Sequence, residues 1–349
     1  MATPEIVHEQ PEFLDVRSPE TTFADTLRLA EIRRDEYQEK RFYQEQATIR
    51  IPTEWPITVF TIGDVHYGSV YTDTDRFMRD IGMIRETPNT YIVLMSNLID
   101  NASPSQYPDS MLANSMTPHD QAKGMHDLIA QLDGEGKILG AVKSPCHEGW
   151  LWKNGGFDIN EYLFADTSFP KLDNGGLLRI QLAEATYRMA LFHKFGPFGS
   201  HFNKSHPAQQ MQRLVLAGEA DIIALAHSHY GEAMQTYYGV GTHRRDVVYL
   251  RTGTYKGNVT GKIDNTPDMW IRDRAGTDGE PSAEAIMLRG DRREMQAFLK
   301  PETAIDFHKA LYTAERLTAI GVLGKLNAIL EKGQEVVIYG RKEKDRTAH

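Results

Sequence analysis

Three short segments place side chains able to bind a metal ion at close spacing. Gly63-Asp64-Val65-His66 follows the apolar run Ile57–Ile62, and Ala226-His227-Ser228-His229 follows Asp221–Leu225. Between them, Ser144-Pro145-Cys146-His147-Glu148 holds the only cysteine of the 349-residue chain. Imidazole, carboxylate and thiolate are the donors that bind zinc and related divalent ions, and alternate histidines in a tight turn bring two imidazoles to one place. One cysteine excludes an intramolecular disulfide, which leaves Cys146 open between a metal ligand and a small buried apolar side chain.

The elements that must position these residues follow from periodicity. Strand-like runs at 57–62, 90–95, 137–142, 177–182, 187–192, 221–225 and 246–251 alternate with helical stretches around 74–85, 118–132 and 207–217. That alternation predicts a layered α/β domain, in which ligands gather at the carboxyl ends of the strands. Each candidate falls at such an end: Asp64 and His66, then Asn97 and Asp100, then Cys146 and His147, then His193, then His227 and His229. Residues 21–50 read as charged helices and the chain turns helical again after Pro301. The expected division is therefore a helical extension over 1–55, a core domain over 56–300 and a second helical extension over 301–349. Asn101–Thr117 and Gly257–Pro281 read as loops.

Composition narrows the class. With 40% hydrophobic and 25% charged residues the chain reads as an ordinary globular protein with no membrane span. The start, Met-Ala-Thr-Pro-Glu-Ile-Val-His-Glu, lacks the basic and apolar regions of a secretory leader, so a reducing, cytoplasmic setting is expected. The formal net charge of −9 weighs against a broad nucleic-acid footprint, although a metal site supplies positive charge locally.

In this order the motifs resemble those of the calcineurin-like metallophosphoesterase superfamily, over residues 57 to 255, with nuclease-type and phage-encoded relatives most similar. The resemblance implies two mixed β-sheets flanked by helices. It implies one ion held by Asp64, His66 and His229 and a second by His193 and His227. Asn97 stands where the family has a bridging aspartate, and Cys146 where it has an asparagine. The histidine that assists the leaving group corresponds to His147, with Asp100 and Glu148 as supports. One or two divalent ions are implied (Zn, Mn, Fe or Ni), with zinc favoured beside the Cys146 thiolate. Glycines of the pattern are replaced by Ser96, Pro145 and Ala226. Ser96 and Ala226 are expected to be mild and Pro145 to disturb the local geometry.

The implied activity is hydrolysis of a phosphodiester, in a nucleotide or nucleic acid, by a metal-bound hydroxide. A neutral Asn97 bridges two cations poorly, so the alternative is a catalytically impaired module for binding or assembly. Asn97 itself is open between a weak ligand and a hydrogen-bonding residue. Arg251 and Tyr255 are candidate substrate contacts, or else residues of a strand terminus. The terminal helices cover the core or join copies in a homo-oligomer.

Overall fold

A computed structural model describes residues 23–25, 27–28, 31–32, 44–101, 113–196, 203–216, 218–257 and 283–319. By contacts the chain divides into Met1–Phe42 and Tyr43–His349. In the first unit the described residues are helical, with Phe23, Leu27 and Ile32 exposed.

The second unit is built on strands β1 (Gln44–Arg50), β2 (Ile57–Ile62), β3 (Thr90–Leu94), β4 (Ile138–Val142), β5 (Lys171–Gln181), β6 (Thr186–Phe192), β7 (Ile222–Leu225), β8 (Glu232–Tyr238), β9 (Arg245–Arg251), β10 (Glu284–Leu288) and β11 (Met295–Phe298). Helices α1 (Thr74–Glu86), α2 (Pro118–Gly134), α3 (His147–Gly155), α4 (Ile159–Leu163), α5 (His206–Leu214) and α6 (Pro301–Ala319) connect or flank them. Hydrogen bonding runs without a break through β11-β10-β2-β3-β4-β5-β6-β7-β9-β8. The two expected sheets are thus halves of one mixed sheet. β2 to β5 run parallel, as do β6, β7 and β9, and the antiparallel pair β5/β6 joins the halves.

The sheet closes on itself. Gln235 in β8 donates through Nε2 to the Met295 carbonyl in β11 at 3.0 Å, bringing the two ends together. Between the halves lies one apolar core, with Ile57, Val59, Leu178, Met189, Leu191, Ile222, Ala224, Val248 and Ile286 all buried in it. Alternation decides the faces: Ile222 and Ala224 point into this core, whereas Ile223 and Leu225 point outward under Ala208 and Met211 of α5. β2, β4 and β7 are buried along their whole length, which is why they read as continuous apolar runs.

The helical reading of residues 21–50 fails at its end. Gln44–Arg50 forms β1 and pairs in parallel with β5, from Gln46↔Leu177 to Arg50↔Gln181. The charged, glutamine-rich composition of this segment conceals a strand because only Ala47 and Ile49 pack on the core. β1 therefore belongs to the second unit and not to a helical extension. α6 matches the expected helix after Pro301, while Ile320–Ile329, most of 101–117 and most of 257–281 lie outside the described residues.

Two glycines test the packing. A Cβ on Gly175 in β5 would meet the Phe192 ring at 1.8 Å, whereas one on Gly82 in α1 meets nothing within 4 Å. Gly175→Ala is expected to destabilise the chain by about 1–3 kcal/mol, and Gly82→Ala to stabilise it by about 1 kcal/mol. Thermal melts monitored by circular dichroism check both signs.

Candidate metal centre

The strand ends do converge. The chain leaving β2 and the chain leaving β3 run side by side, tied by Asp64 N→Ser96 O at 2.9 Å, His66 N→Asn97 O at 3.0 Å and Tyr67 N→Leu98 O at 2.9 Å. Both adopt left-handed backbone: φ is 47° at Asp64, 52° at His66, 67° at Ser96 and 49° at Asn97. The β7 turn repeats this at His227 (70°) and His229 (59°). Six of the nine non-glycine residues with positive φ among the described residues therefore sit here. Each costs on the order of 1 kcal/mol, and such strain gathers where a side chain must be aimed. Ser96 is thus no mild substitute for glycine, since its φ of 67° is one that glycine favours.

Asp64 is the hub. Its Oδ2 accepts from the His227 amide at 2.6 Å and its Oδ1 from the Asn97 side-chain amide at 2.9 Å. The same Oδ1 lies 3.7 Å from His66 Nε2 and 3.5 Å from His229 Nε2, and those two nitrogens are 3.3 Å apart. A triangle with these edges has a circumradius of about 2.0 Å, against about 2.0–2.2 Å for a bond from zinc to imidazole nitrogen or carboxylate oxygen. His66 donates through Nδ1 to Asp100 Oδ1 at 3.1 Å, which leaves its Nε2 lone pair pointing at Asp64 and His229.

A second set adjoins the first. Cys146, His193 and His227 bring their donor atoms within 4.8 Å of one another, with Cys146 Sγ 3.6 Å from His227 Nδ1. Tetrahedral zinc with bonds of about 2.3 Å to sulfur and 2.0–2.1 Å to nitrogen sets that separation near 3.5–3.6 Å. His193 donates through Nδ1 to the Met95 carbonyl at 2.7 Å, and its fully buried Nε2 has no hydrogen-bond partner. A buried lone pair without a donor is costly unless a cation faces it. His66, Asp100 and His147 form a third group, which shares His66 with the first.

The electrostatics of the donors other than His66 agree with cation binding. At His66 burial is outweighed by its bonds to Asp100 and Asp64, which raise the ring, so an ion entering there displaces its proton. Burial would raise the Asp64 carboxyl, but His229, His66 and His193 hold it well below the usual range. Burial holds the His193 and His229 rings neutral, and pushes His227 down to about 3. Asp100 is depressed in spite of its burial, by His66 and then by Lys256, whose Nζ donates to Asp100 Oδ1 at 2.8 Å. Burial raises Cys146 to about 11, so without a cation it is a thiol.

The remaining expected residues divide. His147 begins α3 and bonds through Nδ1 to the Asp100 carbonyl, so its Nε2 carries the lone pair. Its ring is held neutral by burial and then by His66. Glu148, raised by burial to about 7, accepts from the Leu98 amide at 2.6 Å and the Asn97 amide at 3.1 Å. Asn97 turns its amide nitrogen to Asp64, while its oxygen accepts from Ser144 Oγ at 2.8 Å. Pro145 introduces no left-handed residue, and Cys146 is steadied through its amide by Ser144 Oγ at 2.9 Å. Tyr255 does not face a substrate: its ring is fully buried, with its hydroxyl donating to Asp80 Oδ2 at 2.9 Å. Arg251 is 3% exposed, so it too is largely closed to solvent. Ser144 and Lys256, which no motif singled out, belong to the centre through these bonds.

Since His193 and His227 are already neutral near pH 7, an ion entering the Cys146 set displaces only the thiol proton. Its affinity should therefore climb about tenfold per pH unit from 6 to 9. The slope should vanish in Cys146→Ala, with competition titration against a chelating dye as the measurement.

No family model matches the chain, and no curated protein does. Among solved structures it is similar to Vacuolar Protein Sorting 29 from Cryptosporidium parvum, at 15% identity and a TM-score of 0.35 over 70% of this chain and 100% of that one. It is also similar to zinc-complexed Vps29 from Entamoeba histolytica, at 14% and 0.31 over 69% and 98%. A third is a predicted phosphoesterase from Streptococcus pneumoniae, at 15% and 0.30 over 70% and 99%.

Proposed function

We propose that the chain is a divalent-metal-dependent phosphoester hydrolase, with phosphodiesters such as those of nucleotides or nucleic acid as the substrate class. The observation that carries the reading is the pair of adjoining donor sets linked by Asp64, the first with all three edges and the second with its Cys146–His227 edge at the lengths of tetrahedral coordination. Asp64, His66 and His229 would hold one ion, and Cys146, His193 and His227 a second. When bound, such ions supply Lewis acidity toward phosphoryl oxygens and a local positive charge for an anionic substrate.

The chain's own groups set the rest. Asp100 fixes the tautomer and direction of His66, and Lys256 keeps Asp100 ionised. His147 presents a neutral Nε2, so it must take up a proton before giving one to a leaving oxygen. An anionic substrate beside the ring favours that uptake. Trp150 packs against the His147 ring at 4.1 Å between centroids, holding it over the centre.

One observation favours a second reading. Asn97 spends its oxygen on Ser144 and offers Asp64 an amide, so the site lacks the anionic bridge that a symmetrical pair of ions needs. On that reading the fold serves as a binding or assembly module.

Hydrolysis of a chromogenic phosphodiester with Zn, Mn or Ni separates the two. An adapted enzyme turns over as it stands and loses at least about 100-fold in Asp64→Asn and in Cys146→Ala. Activity confined to Asn97→Asp combined with Cys146→Asn would identify the inert module.

A further inference from the structure

The end of the sheet opposite the metal donors carries a cavity of its own, of about 330 Å³, lined by Tyr237, Arg244, Arg245, Asp246, Arg293 and Met295. Its place follows from strand direction. Asp221 immediately precedes β7 and Arg245 opens β9, whereas His227 lies beyond the other end of β7. Five residues, four of them in β7, separate Asp221 from His227, a distance of roughly 15–20 Å.

Charge at this cavity is out of balance. Asp221 is 1% exposed and takes three arginines: Arg245 through Nη1, Arg293 through Nη2 at 2.6 Å, and Arg188, which donates its amide at 2.9 Å and brings its guanidinium to 3.7 Å. One carboxylate suffices for one guanidinium. Arg244 lies over the Tyr237 ring at 3.7 Å, a ring that is 58% exposed. The cavity lining itself carries three guanidiniums, Arg244, Arg245 and Arg293, against one carboxylate, Asp246, and with Arg188 and Asp221 the cluster counts four against two, in a chain whose formal net charge is −9. Burying Asp221 needs one partner; gathering two further guanidiniums on it does not follow from that need.

We propose that this cavity is a second ligand site, taking a phosphoryl group through Arg293, Arg245 and Arg244, with the Tyr237 ring beside it as a platform for a planar substituent. Arg245 spends Nη1 on Asp221 and Nη2 on the Ala220 carbonyl at 2.9 Å, so it contributes mainly charge. Arg293, held through one nitrogen by Asp221, and Arg244, held over the Tyr237 ring, keep further N–H donors in the planar fork that phosphate oxygens match. Asp246 works against the anion and limits its affinity. The site does not rest on the metal-dependent reading, since it shares no residue with the metal centre.

Isothermal titration of the full-length chain with inorganic phosphate, adenosine monophosphate and adenosine, each with and without EDTA, tests this. Saturable binding of a phosphate-bearing probe that persists in EDTA is expected. It should weaken about tenfold or more in Arg293→Gln and in Arg244→Gln, and strengthen in Asp246→Asn, a gain that misfolding cannot mimic. Equal binding of phosphate and the nucleotide assigns recognition to the phosphoryl group alone, and tighter binding of the nucleotide adds the ring. The proposal is overturned by no saturation at about 10 mM of either probe, by loss of binding in EDTA, or by adenosine binding as tightly as the nucleotide. Unchanged affinity across all three variants overturns it as well.

Discussion

A single buried carboxylate holds the centre together. Asp64 joins the end of β2 to the turn after β7 through the His227 amide, and to the turn after β3 through Asn97. Its own carbonyl accepts from Thr254 Oγ1 at 2.7 Å and from the Tyr255 amide at 3.1 Å, which ties in the chain beyond β9. Both halves of the sheet therefore meet at one residue. An ionised group without exposure survives only when surrounded by donors or cations, and Asp64 has both kinds of neighbour. The left-handed turns on either side are what the backbone concedes to bring those donors within reach.

Protonation completes the arrangement. Three of the imidazoles have a ring nitrogen committed to a fixed acceptor: His66 to Asp100, His193 to the Met95 carbonyl and His147 to the Asp100 carbonyl. Each commitment decides which nitrogen keeps its lone pair, and those lone pairs turn toward the carboxylate and one another. Without a cation this is a frustrated cluster of acceptors. With one, the same geometry is satisfied. The neutral amide of Asn97 tempers the charge, which makes the two donor sets unequal.

Much of this was legible in the sequence, for definite reasons. β2, β4 and β7 are buried throughout, and such strands announce themselves as apolar runs; the donors that follow them stand at spacings few other structures need. β8 could not be read this way, because it is half exposed and mixes Glu, Gln and Tyr. β1 reads as helix until its partner β5 is known. Lys256 reaches Asp100 across 156 residues, a pairing with no local periodicity to reveal it. The backbone signs at Asp64, His66, His227 and His229 were hidden as well, since aspartate and histidine do not advertise left-handed turns as glycine does. Of the two readings open for Tyr255, the burial of its ring and the bond from its hydroxyl to Asp80 favour the structural one, a long-range pairing that no motif reveals.

The parallel pairing of β1 with β5 also bears on how the protein meets other chains. β4 pairs with β5 only at Lys171 and Leu172, so most of that long strand would otherwise present unpaired amides and carbonyls. Such an edge is a template for any extended peptide, and covering it is a common defence against edge-to-edge aggregation. The polar segment Gln44–Arg50, unremarkable in composition, thereby acts as a guard strand for the middle of the sheet.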